Sequence, residues 1–193
     1  MWENAASVLV VGARGMLGQD LLLALRQKDQ PLGEISINAV DVQEMDITNP
    51  SSVEAGFARF TPQLVVNCAA YTDVDGSETH RDQAFAVNAD GPRHLAQACR
   101  THHAKLIHLS TDFVFNGRLN RPYRPEDPPD PQGVYAQSKL AGERTVQENS
   151  PDHLIVRTSW LYGRFGKNFV TTIYRLACQR PFLEVVNDQF GWR

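Results

Sequence analysis

Tyr135 and Lys139, in the run Val134-Tyr-Ala-Gln-Ser-Lys-Leu-Ala-Gly-Glu143, are the pair whose types and spacing could do chemistry. Four residues apart, they share one face of a helix. A free phenol, with a pKa of about 10, is a poor proton donor or acceptor at neutral pH. An ammonium held close by favours the phenolate and is expected to bring that pKa toward the working range. By itself the spacing equally fits a partly exposed helical face. Two further stretches give it meaning. The chain opens with a glycine-rich turn, Gly12-Ala-Arg-Gly-Met-Leu-Gly18, suited to a dinucleotide, and Ser110-Thr-Asp-Phe-Val-Phe115 follows as a strand end that could supply a hydroxyl. In that order the three stretches point to hydride transfer.

Positioning such groups takes strands and helices in alternation. Ser7-Val-Leu-Val-Val11 suits a buried strand, and Leu17, Leu21 and Leu25 after it predict a helix from about Met16 to Gln27. Ile35 to Val40 reads as a second strand, Ser51 to Phe60 as a helix started by Asn49-Pro50, and Gln63 to Asn67 as a third strand. A polar loop is expected through Thr79, then a helix from about Gln83 to Arg100 and the strand Lys105 to Leu109. Gly117 to Gly133 holds five of the eleven prolines and must be a loop. The Tyr135 helix, the strand Leu154 to Arg157, a helical stretch near Asn168 to Ala177 and a short apolar run, Phe182 to Val186, complete the chain. This alternation predicts an α/β fold: a doubly wound parallel (Rossmann) sheet that binds ligands beyond the carboxyl ends of its strands.

The candidate binding residues fall at those ends. Glycine lets backbone approach a pyrophosphate, and the helix after Gly12–Gly18 offers unpaired N–H groups. A purely structural tight turn is the alternative. Asp41 closes the second strand about twenty residues past the turn, where an acid can bind the adenosine ribose and favour NAD. Arg14 opposes it, since a guanidinium there could hold the 2′-phosphate of NADP, and the choice stays open. Asp46-Ile47 could flank the adenine, Asp46 otherwise being a turn or helix-start residue. Asn67-Cys-Ala-Ala-Tyr-Thr72 has the small side chains needed where a cofactor lies against backbone, or where a strand end packs tightly. Asn88 could tie neighbouring strand ends together. His108 reads as a core or surface residue, and Asp127 and Asp130 as solvated loop charges.

With these residues assembled, the chain resembles the extended short-chain dehydrogenase/reductases, and within them the dTDP-4-dehydrorhamnose reductases. The resemblance rests on the glycine turn, Asn67-Cys-Ala-Ala-Tyr-Thr-Asp-Val-Asp75, Ser110-Thr-Asp-Phe-Val-Phe-Asn-Gly117, Tyr135 to Glu143, Arg157-Thr-Ser-Trp-Leu-Tyr-Gly163, Gly166-Lys-Asn-Phe169 and Asp188-Gln-Phe-Gly191. It implies NADPH- or NADH-dependent reduction of the C4 ketone of a dTDP-linked 6-deoxy-hexulose, giving dTDP-L-rhamnose. Carried onto this sequence, Tyr135 protonates the developing alkoxide. Lys139 lowers the tyrosine pKa and holds the nicotinamide ribose, and Thr111 donates to the sugar oxygen. Cofactor contacts are implied for Gly12, Arg14, Gly15, Met16, Leu17, Gly18, Asp41, Asp46, Ile47, Ala69, Ala70, Tyr71, Asn88 and Leu109, besides Tyr135 and Lys139. Substrate contacts are implied for Thr111, Asp112, Trp160 and Asn168, with a core aromatic as the alternative for Trp160.

Family members continue past Asp-Gln-Phe-Gly, whereas this sequence reads Gly191-Trp-Arg193 and stops. Residues 1–165 are therefore expected to form the dinucleotide-binding domain, and 166–193 only the start of a smaller, truncated substrate domain. Apolar area left uncovered there would favour association, a homodimer being one possible form. The acids that hold metal in some relatives lie beyond this end, so no metal site is expected. Two other readings share the fold: a non-catalytic NAD(P)-binding subunit, like the regulatory subunit of methionine adenosyltransferase, or another nucleotide-sugar reductase or epimerase. Arg14 favours the last slightly, GDP-fucose synthases having a similar turn.

Composition narrows the setting. A net charge of −3 with interspersed signs argues against nucleic acid, and no apolar run approaches a membrane span. Met1 to Ser7 lacks a signal-peptide pattern, and Cys68, Cys99 and Cys178 lack metal-ligand spacing. A cytoplasmic protein is expected.

Overall fold

Apolar runs ending in small or polar residues build one five-stranded sheet in the computed structural model, which describes residues 7–27 and 35–185. Its strands are β1 (Ser7–Val11), β2 (Ser36–Val40), β3 (Leu64–Asn67), β4 (Lys105–Thr111) and β5 (His153–Thr158). Their order is β2-β1-β3-β4-β5, and every neighbouring pair is parallel. Val11, Val40, Asn67, Thr111 and Thr158 therefore end along one edge. The chain first winds outward from β1 to β2, then back across to β3, β4 and β5. That reversal opens a crevice between the ends of β1 and β3.

The helices are α1 (Met16–Leu25), α2 (Pro50–Phe60), α3 (Val74–Thr79), α4 (Arg81–Phe85), α5 (Gly91–Thr101), α6 (Val134–Asn149) and α7 (Phe169–Ala177). Strand alternation sorts the core into two faces. Leu9, Val11, Val40 and Leu106 pack with Phe57 of α2, Leu95 of α5 and Val146 of α6. Val8, Val10 and Val66 face the other way, against Leu22 of α1 and the half-buried Leu21 and Leu25. Phe57 is fully buried, which stabilises the fold by about 2–3 kcal/mol. Asn49 starts α2 as expected, its Oδ1 accepting from the N–H groups of Ser51 and Ser52 with Pro50 following.

Three expectations need correction. The polar loop before Thr79 contains α3, capped by Asp73, whose Oδ1 accepts the Gly76 N–H at 3.0 Å. The helix predicted over 83–100 is instead α4, a π-helical turn (Ala86–Asp90) and α5 in succession. Residues 182–185 form no regular element. Val186 and the Asp188–Gly191 and Gly191–Arg193 stretches lie outside the described residues. Among the described residues, no helix is long and apolar enough to cross a membrane.

Candidate active site

At the crevice, Gly12 has φ +75, a conformation that favours glycine. A Cβ there would lie 2.6 Å from the Ala69 nitrogen, so the turns after β1 and β3 touch backbone to backbone. At Gly18 a Cβ would lie 2.3 Å from the Gly12 carbonyl oxygen. Gly18 thus lets α1 pack on the turn and does not itself face the cleft. Gly15 caps α1 without a side-chain hydrogen bond, leaving the first-turn N–H groups unobstructed. Gly12, Arg14, Gly15, Asp41, Asp46, Ile47, Ala69 and Ala70 all line a cleft of about 400 Å³. A glycine cradle, a helix N-terminus and an acid at the end of β2 fit a dinucleotide, with the pyrophosphate at α1 and the adenosine toward Asp41. Asp46 lines the cleft, and its Oδ1 accepts the N–H and hydroxyl of Thr48 before α2, as a turn residue would.

Tyr135 and Lys139 lie on α6 beside the end of β4. The Thr111 hydroxyl donates to Asp112 Oδ1 at 3.3 Å and favours the ionised form of the Tyr135 phenol. Phe113 meets the Tyr135 ring edge-on at 5.9 Å. Lys139 is 2% exposed and its Nζ donates to the Leu109 carbonyl at 2.7 Å. One turn further, Glu143 accepts from Ser110 Oγ at 2.5 Å and from Arg157 Nε and Nη2 at 2.9 and 2.7 Å. Several contacts fix α6 itself. The Glu78 carboxylate of α3 accepts the Val134 N–H at 2.8 Å, a remote cap on its N-terminus. At Gly142 a Cβ would lie 2.0 Å from the Asn88 carbonyl oxygen, so α6 rests directly on the π-helical turn.

The electrostatics depart from the expected pairing. Burial, then the charge of Asp112, push the Tyr135 phenol up, outweighing the Thr111 hydrogen bond. Lys139 does not lower it. Burial instead brings the Lys139 ammonium down to about 8, against the opposing pull of Glu143 and Cys68. A protonated phenol beside a charged ammonium is therefore the neutral-pH state, and that is the state a proton donor needs. Asp112 is also pushed up by burial, despite its hydrogen bonds from Thr111 and the neighbouring backbone.

Two expected binding residues have other duties. Asn88 is 1% exposed, and its Oδ1 accepts the Tyr71 N–H while its Nδ2 donates to the Tyr71 carbonyl and Ser138 Oγ. It ties the loop after β3 to α6. Asn168 caps α7 in a reciprocal box with Thr171, and its Nδ2 donates to the Gly163 carbonyl at 2.9 Å. That is a capping position at the start of α7. Met16 and Leu17 line a second surface hollow with Tyr162 and Gly163. Leu109 offers its carbonyl to Lys139. Trp160 is 55% exposed with φ +53, so it is not a core aromatic. Asp127 is not a free loop charge, being held by both terminal nitrogens of Arg121 and by the Arg124 N–H; Asp130 accepts from Asn116 Nδ2. His108 is a core residue, its Nδ1 3.1 Å from Asn67 Nδ2. Sequence reasoning missed the roles of Glu78, Phe113 and Arg157. Glu143 carried a signal, standing four residues beyond Lys139 on the same helical face.

Comparison with known proteins agrees with this geometry. A curated "dTDP-4-dehydrorhamnose reductase" of Streptomyces griseus is 47% identical over 95% of this chain and 59% of its own length. The solved dTDP-4-dehydrorhamnose reductase of Clostridium acetobutylicum is similar at 40% identity and a TM-score of 0.89, covering 95% of this chain and 63% of that one. That of Bacillus anthracis, in complex with NADP, is similar at 41% identity and a TM-score of 0.85, over 91% and 60%. The chain thus spans about three fifths of the length of these relatives. The RmlD substrate binding domain family matches residues 6–192, nearly the whole chain, and the chain belongs to that family.

Proposed function

We propose that this chain carries the NAD(P)H-dependent reduction of the C4 ketone of dTDP-6-deoxy-L-lyxo-4-hexulose to dTDP-L-rhamnose, with Tyr135 as proton donor. The observation that carries the reading is Tyr135 and the buried Lys139 together on α6, beside the Thr111 end of β4 and on the same sheet edge as the glycine cradle. The bound nicotinamide supplies the hydride. Everything else falls to side chains. Tyr135 Oη gives its proton to the C4 oxygen as charge develops there, and the Thr111 hydroxyl positions that oxygen. Lys139, four residues further along α6, holds the nicotinamide ribose through its ammonium. Leu109 takes one of its three N–H donors. Exposed Trp160 stands free to pack on the sugar. The free cysteines Cys68, Cys99 and Cys178 are compatible with a reducing compartment and support a cytoplasmic reaction.

The test is oxidation of NADH and NADPH by the purified chain, with and without that keto-sugar nucleotide. Oxidation that depends on the sugar nucleotide is expected. Cofactor binding without any such oxidation would reduce the assignment to a dinucleotide-binding module.

A further inference from the structure

The adenosine end of the cleft carries an ion pair whose consequence reaches cofactor choice. Arg14 donates through Nη2 to Glu44 and through Nη1 to Gln43 Oε1 at 2.7 Å. The second Glu44 oxygen accepts the Asp41 N–H at 3.0 Å, so Glu44 is fixed from both sides. The Arg14 N–H donates to Asp41 Oδ2 at 2.9 Å and the Val42 N–H to Asp41 Oδ1 at 2.9 Å. Each carboxylate oxygen of Asp41 thus has one backbone donor and keeps a second lone pair for the hydroxyls of a ribose. Arg14 is the only basic side chain among the described residues lining this cleft, against Asp41 and Asp46.

We propose that Glu44 is a specificity-determining residue: the carboxylate it sets beside Arg14 makes this chain take NADH in preference to NADPH. The inference rests on the dinucleotide site of the proposed function. A 2′-phosphate brings roughly two negative charges. Beside it would stand one guanidinium and two carboxylates, Asp41 and Glu44. The Arg14 side chain is 57% exposed and can leave Glu44 at little cost, so it could turn to the phosphate. Glu44 would then be an unpaired like charge next to that phosphate. NADH meets none of this, because its ribose diol needs only the acceptor capacity of Asp41. Exposure and salt keep the discrimination moderate, on the order of ten-fold.

Fluorescence titration of NADH and NADPH tests this on the full chain, comparing wild type, Glu44→Gln, and Glu44→Gln with Arg14→Ala. Glutamine preserves the hydrogen-bond acceptor toward Arg14 and removes only the charge. Wild type is expected to bind NADH about ten-fold more tightly than NADPH. Glu44→Gln should close most of that gap by strengthening NADPH, with NADH changed by less than about two-fold. The added Arg14→Ala should take the NADPH gain away. NADPH binding wild type as tightly as NADH, or an unchanged ratio in Glu44→Gln, would overturn the proposal. Failure of wild type to bind either cofactor would overturn the dinucleotide site itself, and with it this inference.

Discussion

Replacing Lys139 by methionine should make the chain more stable at neutral pH while removing its chemistry. The ammonium is 2% exposed, and burial lowers its pKa from 10.5 to about 8. A fall of that size corresponds to about 3 kcal/mol of cost for holding the charged form in the folded state. Methionine has a similar length and carries no charge, so the cost disappears. Against this, the Leu109 carbonyl loses its Nζ donor, worth about 1 kcal/mol. The net expectation is a gain of about 1–2 kcal/mol at pH 7. The pH dependence makes the cause identifiable. Between about 8 and 10.5 the folded chain holds fewer protons at this site than the unfolded chain, so wild-type stability rises with pH through that window. Lys139→Met lacks this rise, and its advantage should shrink by about 2 kcal/mol between pH 7 and pH 10. Urea denaturation of both proteins at the two pH values gives the comparison, provided the denaturant slopes match. A variant less stable than wild type at pH 7, or a difference that does not move with pH, would refute the argument that this lysine is held at an energetic cost.

Two further substitutions follow from the same geometry. Gly12→Ala combines a disfavoured φ of +75 with a Cβ set 2.6 Å from the Ala69 nitrogen. It should cost about 2–4 kcal/mol in urea denaturation and abolish NADH binding by fluorescence; a fully stable variant would show that the two turns can part. Asn88→Ala removes three hydrogen bonds from a buried side chain. A loss of about 2 kcal/mol is expected, and a change under about 0.5 kcal/mol would mean that water replaces the clamp.

The strands were legible because each is an apolar run closed by a glycine, aspartate or polar residue, and their helical connections forced a parallel sheet. The cradle was legible for a related reason, since Gly12, Gly15 and Gly18 do jobs that a side chain would obstruct. What escaped depends on contacts distant in sequence. α3 is a single polar turn without an apolar stripe, held by the Asp73 cap and by the Glu78 bond to α6. The π-helical turn carries no periodic signal; its carbonyl at Asn88 is met by Gly142, 54 positions later. Asn88 and Asn168 have polar side chains that sequence position alone assigns to ligands, yet each makes hydrogen bonds within the protein, to the Tyr71 backbone and Ser138 Oγ and to the Thr171 N–H and Gly163 carbonyl. The direction of the Tyr135 shift was misjudged for a comparable reason. Spacing puts Lys139 on the same helical face, but only the fold shows its Nζ drawn to the Leu109 carbonyl and Asp112 acting on the phenol.

The most direct measurement is the single-turnover rate of NADH oxidation by wild type and Tyr135→Phe, each saturated with cofactor and mixed with dTDP-6-deoxy-L-lyxo-4-hexulose. Loss of one hydroxyl leaves α6 and the cleft in place, so NADH affinity should stay nearly unchanged. The rate should fall by roughly 10²–10⁴-fold, the contribution of a positioned acid. Equal rates in the two proteins would contradict the assignment of Tyr135 as proton donor.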